Sequence, residues 1–444
     1  MSLFGTDGIR GVANKDLTPS LATKLGKSLH LFTNEGDRIL IGRDTRRSGP
    51  MLAHALASGI SSIGRNALFL GIIPTPAVPL LLDQLCAEVG IMISASHNLA
   101  QDNGIKFFDA DGFKFSRRAE KRVEEFVENQ STCASSWEEI GTTDNPSNPS
   151  ELYFTLIKQK FPGSLPNLEG LHVGVDCAHG ATYQVAPDVL SNLGATITTI
   201  GTHPTGENIN RDCGSTNLKN LQRLILSQEL DLGIAFDGDG DRVLLIDENG
   251  EVVDGDRILF IAADWFSNAD KLKPNVVVST VMSNLGLEIT LSDLGIELIR
   301  TQVGDKYVAQ EMRSKSALLG GEQSGHIIFS EVNTTGDGLL TTLMILKILI
   351  DSGSSLSELG KKMKRYPQVL KNISTDCKEE FSDNECILNK INHWESQLGD
   401  KGRILVRPSG TQDVIRVMVE ANSEETANQV ASNLGRAIDQ ELNQ

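Results

Sequence analysis

The sequence predicts an α/β protein in which three similar α/β units, of βαβ type with mixed sheets, precede a smaller C-terminal α+β domain. Three observations carry this expectation. Short apolar runs alternate with helix-period segments along most of the chain, the pattern of strands joined by crossover helices. The pattern restarts twice, and Ile63-Gly64, Leu193-Gly194 and Leu294-Gly295 each mark a passage from helix to strand, glycine being the usual residue just past a helix end. At 444 residues the chain is too long for one core and has the length of about three or four domains.

In the first unit, Thr18-Pro19 caps a helix running to about residue 31. Residues 38–41 form a strand, 49–63 a helix, 67–70 a strand and 88–93 a buried strand. The second unit places strands at 171–176 and 195–200 around a helix, with further strand-like runs at 232–236 and 243–247. The third repeats the arrangement with 275–280 and 296–301. Its apolar segment 339–350 contains threonines and Lys347 and is too short to span a bilayer, so it reads as a core helix. A Pro-rich joint at 144–150 and a charged stretch at 361–367 serve as linkers. The tail has strands at 403–406 and 414–419, then a helix capped near Ser423. The expected domains are therefore 1–150, 151–250, 251–367 and 368–444.

The net charge of −17 argues against a nucleic-acid partner or an anionic membrane surface. Six cysteines without metal-ligand or disulfide spacing fit the reduced thiols of a cytoplasmic protein, and none reads as a strong nucleophile.

The densest chemistry lies in Ile93-Ser-Ala-Ser-His-Asn98 with Asp102-Asn-Gly-Ile-Lys106 close behind. Ser96, His97, Asn98 and Lys106 bring a hydroxyl, an imidazole, an amide and an ammonium to the carboxyl end of a strand, where open α/β sheets place ligands. A phosphorylated Ser96 would be a phosphoryl donor with its charge held by these neighbours. An ordinary Ser/Asn turn is the plain alternative. The second cluster, Asp237-Gly-Asp-Gly-Asp-Arg242, sets three carboxylates on alternate residues between strand-like runs. All-oxygen ligands suit Mg²⁺ or Ca²⁺. An EF-hand loop would also use Asp237, Asp239, Asp241 and Glu248, but it needs glycine where Arg242 stands and helices where these runs are. An acidic β-turn is the bland reading.

Arg407-Pro-Ser-Gly-Thr411 joins hydroxyls, backbone amides and a guanidinium, with Arg416 nearby, and this suits a phosphate dianion unless it is a solvated hairpin. In Gly321-Glu-Gln-Ser-Gly-His326, Glu322 and Ser324 would share a face of an extended segment and bind hydroxyls or an amine of one sugar ring. Beside them His326 is a candidate acid/base, though a lone histidine is more often structural. In the opening Phe4-Gly-Thr-Asp-Gly-Ile-Arg-Gly11, Arg10 could neutralise phosphate charge. Gly42-Arg-Asp-Thr-Arg46 adds further arginines, and surface ion pairing with Asp7 or Asp44 is the alternative for all of them.

Taken in order, these five motifs resemble the motif set of the α-D-phosphohexomutases over essentially the whole chain. The opening heptad, the Glu-Gln-Ser version of the sugar loop and Thr280-Val-Met-Ser-Asn-Leu-Gly286 most resemble the bacterial branch acting on glucosamine phosphates. The resemblance implies four domains around a central cleft. It implies interconversion of glucosamine 6-phosphate and glucosamine 1-phosphate through a phosphoserine and glucosamine 1,6-bisphosphate, on the route to UDP-N-acetylglucosamine. It also places Ser96 as the phosphoserine, with Asp237, Asp239 and Asp241 as ligands of one Mg²⁺ that the phosphoserine joins. Arg10, His97, Lys106, Arg242 and His326 fall on positions of phosphate contact or proton transfer, with Asn98 beside them. Glu322 and Ser324 match sugar contacts, and Arg407, Ser409, Gly410, Thr411 and Arg416 match the grip on the non-reacting phosphate. A homodimer is suggested by this likeness alone.

Four positions depart from the family pattern. Leu99 stands for the usual proline, Gln412-Asp413 for Glu-Pro, and His179 for asparagine. Leu99 would loosen the serine turn, and Asp413 would bring negative charge to the phosphate loop. Two rivals stay open: a phosphomannomutase or phosphoglucomutase, and a catalytically idle sugar-phosphate-binding protein.

Overall fold

Among the described residues, fifteen strands in three sheets repeat one plan. The first sheet contains β1 (Ile9–Val12), β2 (Arg38–Arg43), β3 (Asn66–Ile72), β4 (Ala87–Ile93), β5 (Asp102–Phe108) and β6 (Thr143–Asp144), in the order β1-β5-β4-β2-β3-β6. The second contains β7 (His172–Asp176), β8 (Thr196–Ile200), β9 (Leu232–Phe236), β10 (Val243–Ile246) and β11 (Val252–Val253), ordered β11-β10-β9-β7-β8. In the third, β12 (Val276–Thr280), β13 (Glu297–Thr301), β14 (Leu319–Gly321) and β15 (Ile327–Phe329) run in the order β13-β12-β14-β15.

In every sheet the first strand of the repeat (β2, β7 or β12) has a parallel neighbour on each side, and an antiparallel strand (β5, β10 or β15) returns along the outer one. The sheets are thus mixed, and the threefold likeness read from the glycine punctuation is a likeness of topology. Its consequence for chemistry is direct. The Ser-His-Asn, Asp-Gly-Asp-Gly-Asp and Glu-Gln-Ser motifs occupy the same turn of their repeats, the one from the outer parallel strand into its antiparallel return.

These coordinates form a computed structural model that describes residues 3–5, 7–129, 133–409 and 413–443. The chain divides into two units, Met1–Met282 with Ile296–Lys361, and Ser283–Gly295 with Lys362–Gln444. In the larger unit the central strands are covered on both faces, so they read as continuous apolar runs: Ile39, Leu40 and Ile41 in β2, and all five residues of β9, are buried. Thr18 caps the helix Pro19–Ser28 by accepting from the Leu21 N–H at 3.2 Å. That helix lies against Gly49–Ser61 at glycine contacts. A Cβ on Gly26 would stand 2.3 Å from the Leu56 carbonyl oxygen, and one on Gly59 would stand 2.2 Å from that of Thr23. The core helix Gly338–Ser352 is capped by Asp337, which also accepts from the buried Tyr153 hydroxyl at 2.8 Å. No helix among the described residues is long and apolar enough to cross a membrane.

The smaller unit carries β16 (Gln368–Ser374), β17 (Gly402–Pro408) and β18 (Val414–Ala421), antiparallel in the order β16-β18-β17, with the helices Glu385–Leu398 and Glu424–Leu442. Ser423 caps the latter, as its sequence signal indicates. Asn284 caps Leu285–Asp293 and donates 3.0 Å to buried Glu420, which also accepts from Arg403 Nε at 2.9 Å.

Several expectations need correction. Asp144 belongs to an edge strand and Pro149 opens the helix Pro149–Lys160, so the Pro-rich joint shrinks to residues 145–148. Lys106, grouped with the serine motif at the carboxyl end of the first strand, lies inside the next strand, β5, paired with Met92. Glu322 and Ser324 sit in a tight hairpin turn between β14 and β15, closed by Gly325 N–H to the Glu322 carbonyl at 2.9 Å, so strand alternation does not set their faces. Gly325 has φ +92°, which no extended run of L-residues adopts. Arg407 is the penultimate residue of a strand.

Candidate active site

The site begins with a serine in an unusual backbone state. Ser96 has φ +51°, the left-handed region, at a cost of roughly 1–3 kcal/mol for a residue with a side chain, and such strain collects at functional positions. In that conformation Ser96 Oγ donates to Asp237 Oδ2 at 2.6 Å and lies 3.4 Å from His97 Nδ1. Burial, with Arg242 and Arg10 nearby, pushes His97 down to about 4, so its ring is neutral at pH 7. Asn98 donates to Asp102 at 3.0 Å, and its side-chain oxygen lies 3.5 Å from Arg10 Nη1. Arg10 pairs with Asp7 as its plain alternative reading had it.

The acidic turn reaches the serine because its glycines leave room. A Cβ on Gly238 would fall 2.6 Å from the Ser96 carbonyl oxygen, and Gly240 turns the chain with φ +70°. Asp237, Asp239 and Asp241 are all buried, and each offers a carboxylate oxygen within 4.8 Å of the others. Burial and then the charges of Asp241 and Asp239 push Asp237 well above the usual carboxylate range. Asp239 Oδ1 and Asp241 Oδ1 are buried with no hydrogen-bond partner. Two unpaired oxygens in a cluster of three crowded carboxylates make the all-oxygen donor set of a hard divalent cation, so these residues fit one. Glu248, the twelfth ligand an EF-hand would need, instead accepts from Ser355 Oγ at 2.7 Å and Ser357 Oγ at 2.6 Å, and β9 and β10 flank the turn where helices would be required.

Protein cations balance part of this charge. Lys106 Nζ lies 2.9 Å from Asp239, 3.2 Å from Asp7 and 3.6 Å from Asp241, and these carboxylates hold it well above its usual value although burial acts the other way. Thr75 Oγ1 donates to Asp239 at 2.6 Å. Lys114 joins Asp7 to Asp305, whose Oδ2 is 3.6 Å from His326 Nε2, and His326 Nδ1 is 3.6 Å from Asp241. The result is a chain of alternating charge, Asp241-Lys106-Asp7-Lys114-Asp305, that draws on all three repeats and has both its ends beside His326.

His326 is fully buried, and its Nε2 accepts the Gly336 N–H at 2.9 Å. A proton on that nitrogen would face a donor, so the proton of the neutral ring sits on Nδ1, toward Asp241. Glu322, next to this circuit, accepts from Gly304 N–H at 3.1 Å, and burial raises its carboxyl above the ordinary range. Ser324 is partly buried in the same turn. Arg242 Nε is 3.8 Å from Asp241 Oδ1.

In the smaller unit, Arg407 and Arg416 are directly opposite each other on β17 and β18. Burial and the Arg416 charge both lower Arg407. Like charges in register disfavour a sheet unless an anion is to be shared. Ser409 is buried and its N–H donates to the Val414 carbonyl at 2.9 Å. Gly410, Thr411 and Gln412 lie outside the described residues.

Models of the phosphoglucomutase/phosphomannomutase family match the chain in four segments: α/β/α domain I over residues 1–133, domain II over 151–250, domain III over 254–366 and the C-terminal domain over 361–436. The chain belongs to the phosphoglucomutase/phosphomannomutase family. Similar curated relatives are a phosphoglucosamine mutase of Shouchella clausii, 45% identical over 443 residues, and one of Ruminiclostridium cellulolyticum, 44% identical over 448, each alignment covering 99% of both chains. Among solved structures, a phosphoglucomutase/phosphomannomutase family protein from Burkholderia thailandensis aligns with a TM-score of 0.82 at 22% identity, over 99% of this chain and 97% of that one. Aspergillus fumigatus N-acetylphosphoglucosamine mutase, in complex with GlcNAc-6P and magnesium, aligns at 0.70 and 19%, over 98% and 95%. These two structures share its fold.

Within this phosphoglucomutase/phosphomannomutase scaffold the departures have local explanations. Asp413 turns its charge to Lys378 at 3.0 Å. Leu99 is 54% exposed, and Arg46 bonds the carbonyls of that turn. His179 takes φ +51°, a conformation asparagine and histidine tolerate better than most, and its carbonyl accepts from Thr45 Oγ1 at 2.6 Å. Gln412 lies outside the described residues. Sequence reasoning passed over Thr75, Lys114, Asn210 and Asp305, and for Arg46 and Asp44 it left surface ion pairing open as the alternative. They form a fully buried pair 2.8 Å apart, signalled only by a charged Asp-x-Arg directly after an apolar strand. Burial pushes the thiols of Cys177 and Cys213 up, the latter to about 12, so neither is a nucleophile at neutral pH.

Proposed function

We propose that this chain is a phosphoglucosamine mutase, an isomerase interconverting glucosamine 6-phosphate and glucosamine 1-phosphate, with Ser96 as the phosphoryl carrier. One observation carries the reading: a strained, buried serine hydroxyl aimed at a cluster of three aspartates across two repeats, 2.6 Å from Asp237. The full-length likeness to phosphoglucosamine mutases supports the substrate assignment.

In the forward step the bond from phosphorus to Ser96 Oγ breaks as one forms to the free sugar hydroxyl oxygen. The hydroxyl loses a proton and Ser96 Oγ regains one, giving glucosamine 1,6-bisphosphate. The bisphosphate turns over, and its other phosphoryl group returns to Ser96 by the reverse step. Neutral His97 stands by Ser96 Oγ to pass the proton, while Arg10, Lys106 and Arg242 offset phosphate charge, with Asn98 fixing Arg10. Asp237, Asp239 and Asp241 hold one Mg²⁺ with the phosphoserine as a further ligand; when bound, the ion neutralises phosphate charge and polarises phosphorus. Glu322 and Ser324 read the sugar ring, His326 fixes Asp241, and Arg407, Ser409, Gly410, Thr411 and Arg416 grip the phosphate that is not reacting.

A four-part division at residues 150, 250 and 367, a cytoplasmic location, a role in supplying UDP-N-acetylglucosamine and a homodimer belong to the same reading. A comparison of rates on glucosamine, mannose and glucose phosphates with Mg²⁺ present tests it. The glucosamine pair should be turned over at least about tenfold faster than the others, within what a site that hydrogen-bonds an amine can discriminate. Equal or faster turnover of mannose or glucose phosphate would transfer the assignment to the corresponding mutase.

A further inference from the structure

The main chain around Ser96 is held at both ends by side chains from different repeats. Ser96 N–H donates to Ser94 Oγ at 2.9 Å, and Ser94 Oγ donates in turn to Asp44 at 2.6 Å. The Ser96 carbonyl accepts from Arg46 Nη2 at 3.0 Å and from Asn210 Nδ2 at 2.8 Å. The Asn98 carbonyl accepts from the same two groups, each at 2.8 Å. Arg46 completes its set at the Asp102 and Leu99 carbonyls, and its charge is balanced by Asp44. The reactive serine is therefore bracketed by two donors that each bind both carbonyls flanking His97.

We infer that Arg46 and Asn210 are positioning residues for phosphoryl transfer, holding Ser96 in its left-handed conformation so that Oγ faces Asp237. This rests on the proposed phosphoserine role. A free serine prefers negative φ by about 1–2 kcal/mol, and relaxing to it would swing Cβ and Oγ away from the acidic turn. Two carbonyls, each fixed by a guanidinium and an amide, outweigh that preference, because charge-assisted hydrogen bonds in a buried site are strong. Asn210 is placed where the two repeats meet. A Cβ on Gly238 would lie 2.6 Å from both Asn210 Nδ2 and the Ser96 carbonyl oxygen, so the acidic turn packs directly on this hydrogen bond. Asn210 itself has φ +57° and is 5% exposed.

The test uses Asn210→Gly, which keeps the left-handed backbone and removes both donations, and Asn210→Asp, which keeps the size and replaces the donor by an acceptor. For glucosamine phosphate interconversion by the full-length, Mg²⁺-loaded protein, kcat should fall about 10- to 100-fold in Asn210→Gly, the range expected when a reacting atom is misplaced by about 1 Å. It should fall at least as far in Asn210→Asp. KM should stay within about twofold in both, since neither change touches the groups assigned to the sugar. A residue serving only the fold would lower the melting temperature and leave kcat unchanged below it. A kcat within about threefold of wild type in either folded variant, or an efficiency loss appearing in KM, overturns the inference. Wild-type protein measured alongside separates the two claims: absence of turnover there would defeat the mutase reading, whereas wild-type turnover matched by the variants would defeat only the positioning role.

Discussion

Ser96→Ala should abolish glucosamine phosphate interconversion while leaving the circular dichroism spectrum and cooperative unfolding intact. The hydroxyl is the only group the substitution removes, and it is the oxygen proposed to carry the phosphoryl group. The backbone adds a second, signed expectation. At φ +51° a Cβ is strained and glycine is not, so Ser96→Gly should be more stable than Ser96→Ala by about 1 kcal/mol, although both are inactive. Chemical denaturation of the two variants measures the difference. Alanine equal to or more stable than glycine would show that Ser96 does not occupy the left-handed region in solution, and retained turnover in either variant would remove serine from the reaction.

Lys106→Met should have the largest effect on stability. Lys106 is fully buried and is shared by Asp239, Asp7 and Asp241, so its loss leaves uncompensated negative charge in a site that already crowds three aspartates. Breaking such a buried pair on one side costs about 3–5 kcal/mol. Mg²⁺ should restore part of that. A ligand that binds only the folded state at about 100 times its Kd contributes about 2.7 kcal/mol, and the contribution grows as the site becomes more negative. Thermal melts with and without Mg²⁺ should therefore show a larger Mg²⁺-induced rise in Tm for Lys106→Met than for wild type, and EDTA should cancel both rises. A smaller rise in the variant would mean that the cation does not sit among these carboxylates.

What the sequence conveyed and what it withheld follow from the range of the interactions involved. The Asp-Gly-Asp-Gly-Asp turn was readable because its carboxylates and the glycines that let them approach one another are consecutive. The threefold architecture was readable because apolar runs buried on both faces differ sharply from amphipathic helices. Lys106 was grouped with the serine motif at a strand's end because its partners, Asp7 and Asp239, are far away in sequence, and only the sheet shows that a lysine inside β5 points into an acidic site. Surface ion pairing stayed open for Arg46 and Asp44 for the same reason: charged residues are mostly exposed, and the carbonyls that justify burying this arginine belong to residues 96–102. Asn210 sits in a polar loop with no periodicity, where nothing distinguishes it from its neighbours until the serine turn is laid against it. Arg407 was read in an anion-binding loop with Arg416 only nearby, and their cross-strand register, which sets the two guanidinium groups opposite each other, is a property of the sheet. β16 escaped notice because its residues alternate between partly covered and exposed, including Leu370 at 47% exposure, without the apolar run that marks a central strand.

The central claim, that Ser96 carries the phosphoryl group, is tested most directly by mass spectrometry of intact protein after incubation with glucosamine 1,6-bisphosphate and Mg²⁺, followed by peptide mapping. A single phosphate-sized mass increment is expected on the peptide containing Ser96, and it should disappear on addition of excess glucosamine 6-phosphate as the group passes to the sugar. Phosphate on another residue, or full turnover by protein that never acquires the increment, would contradict it.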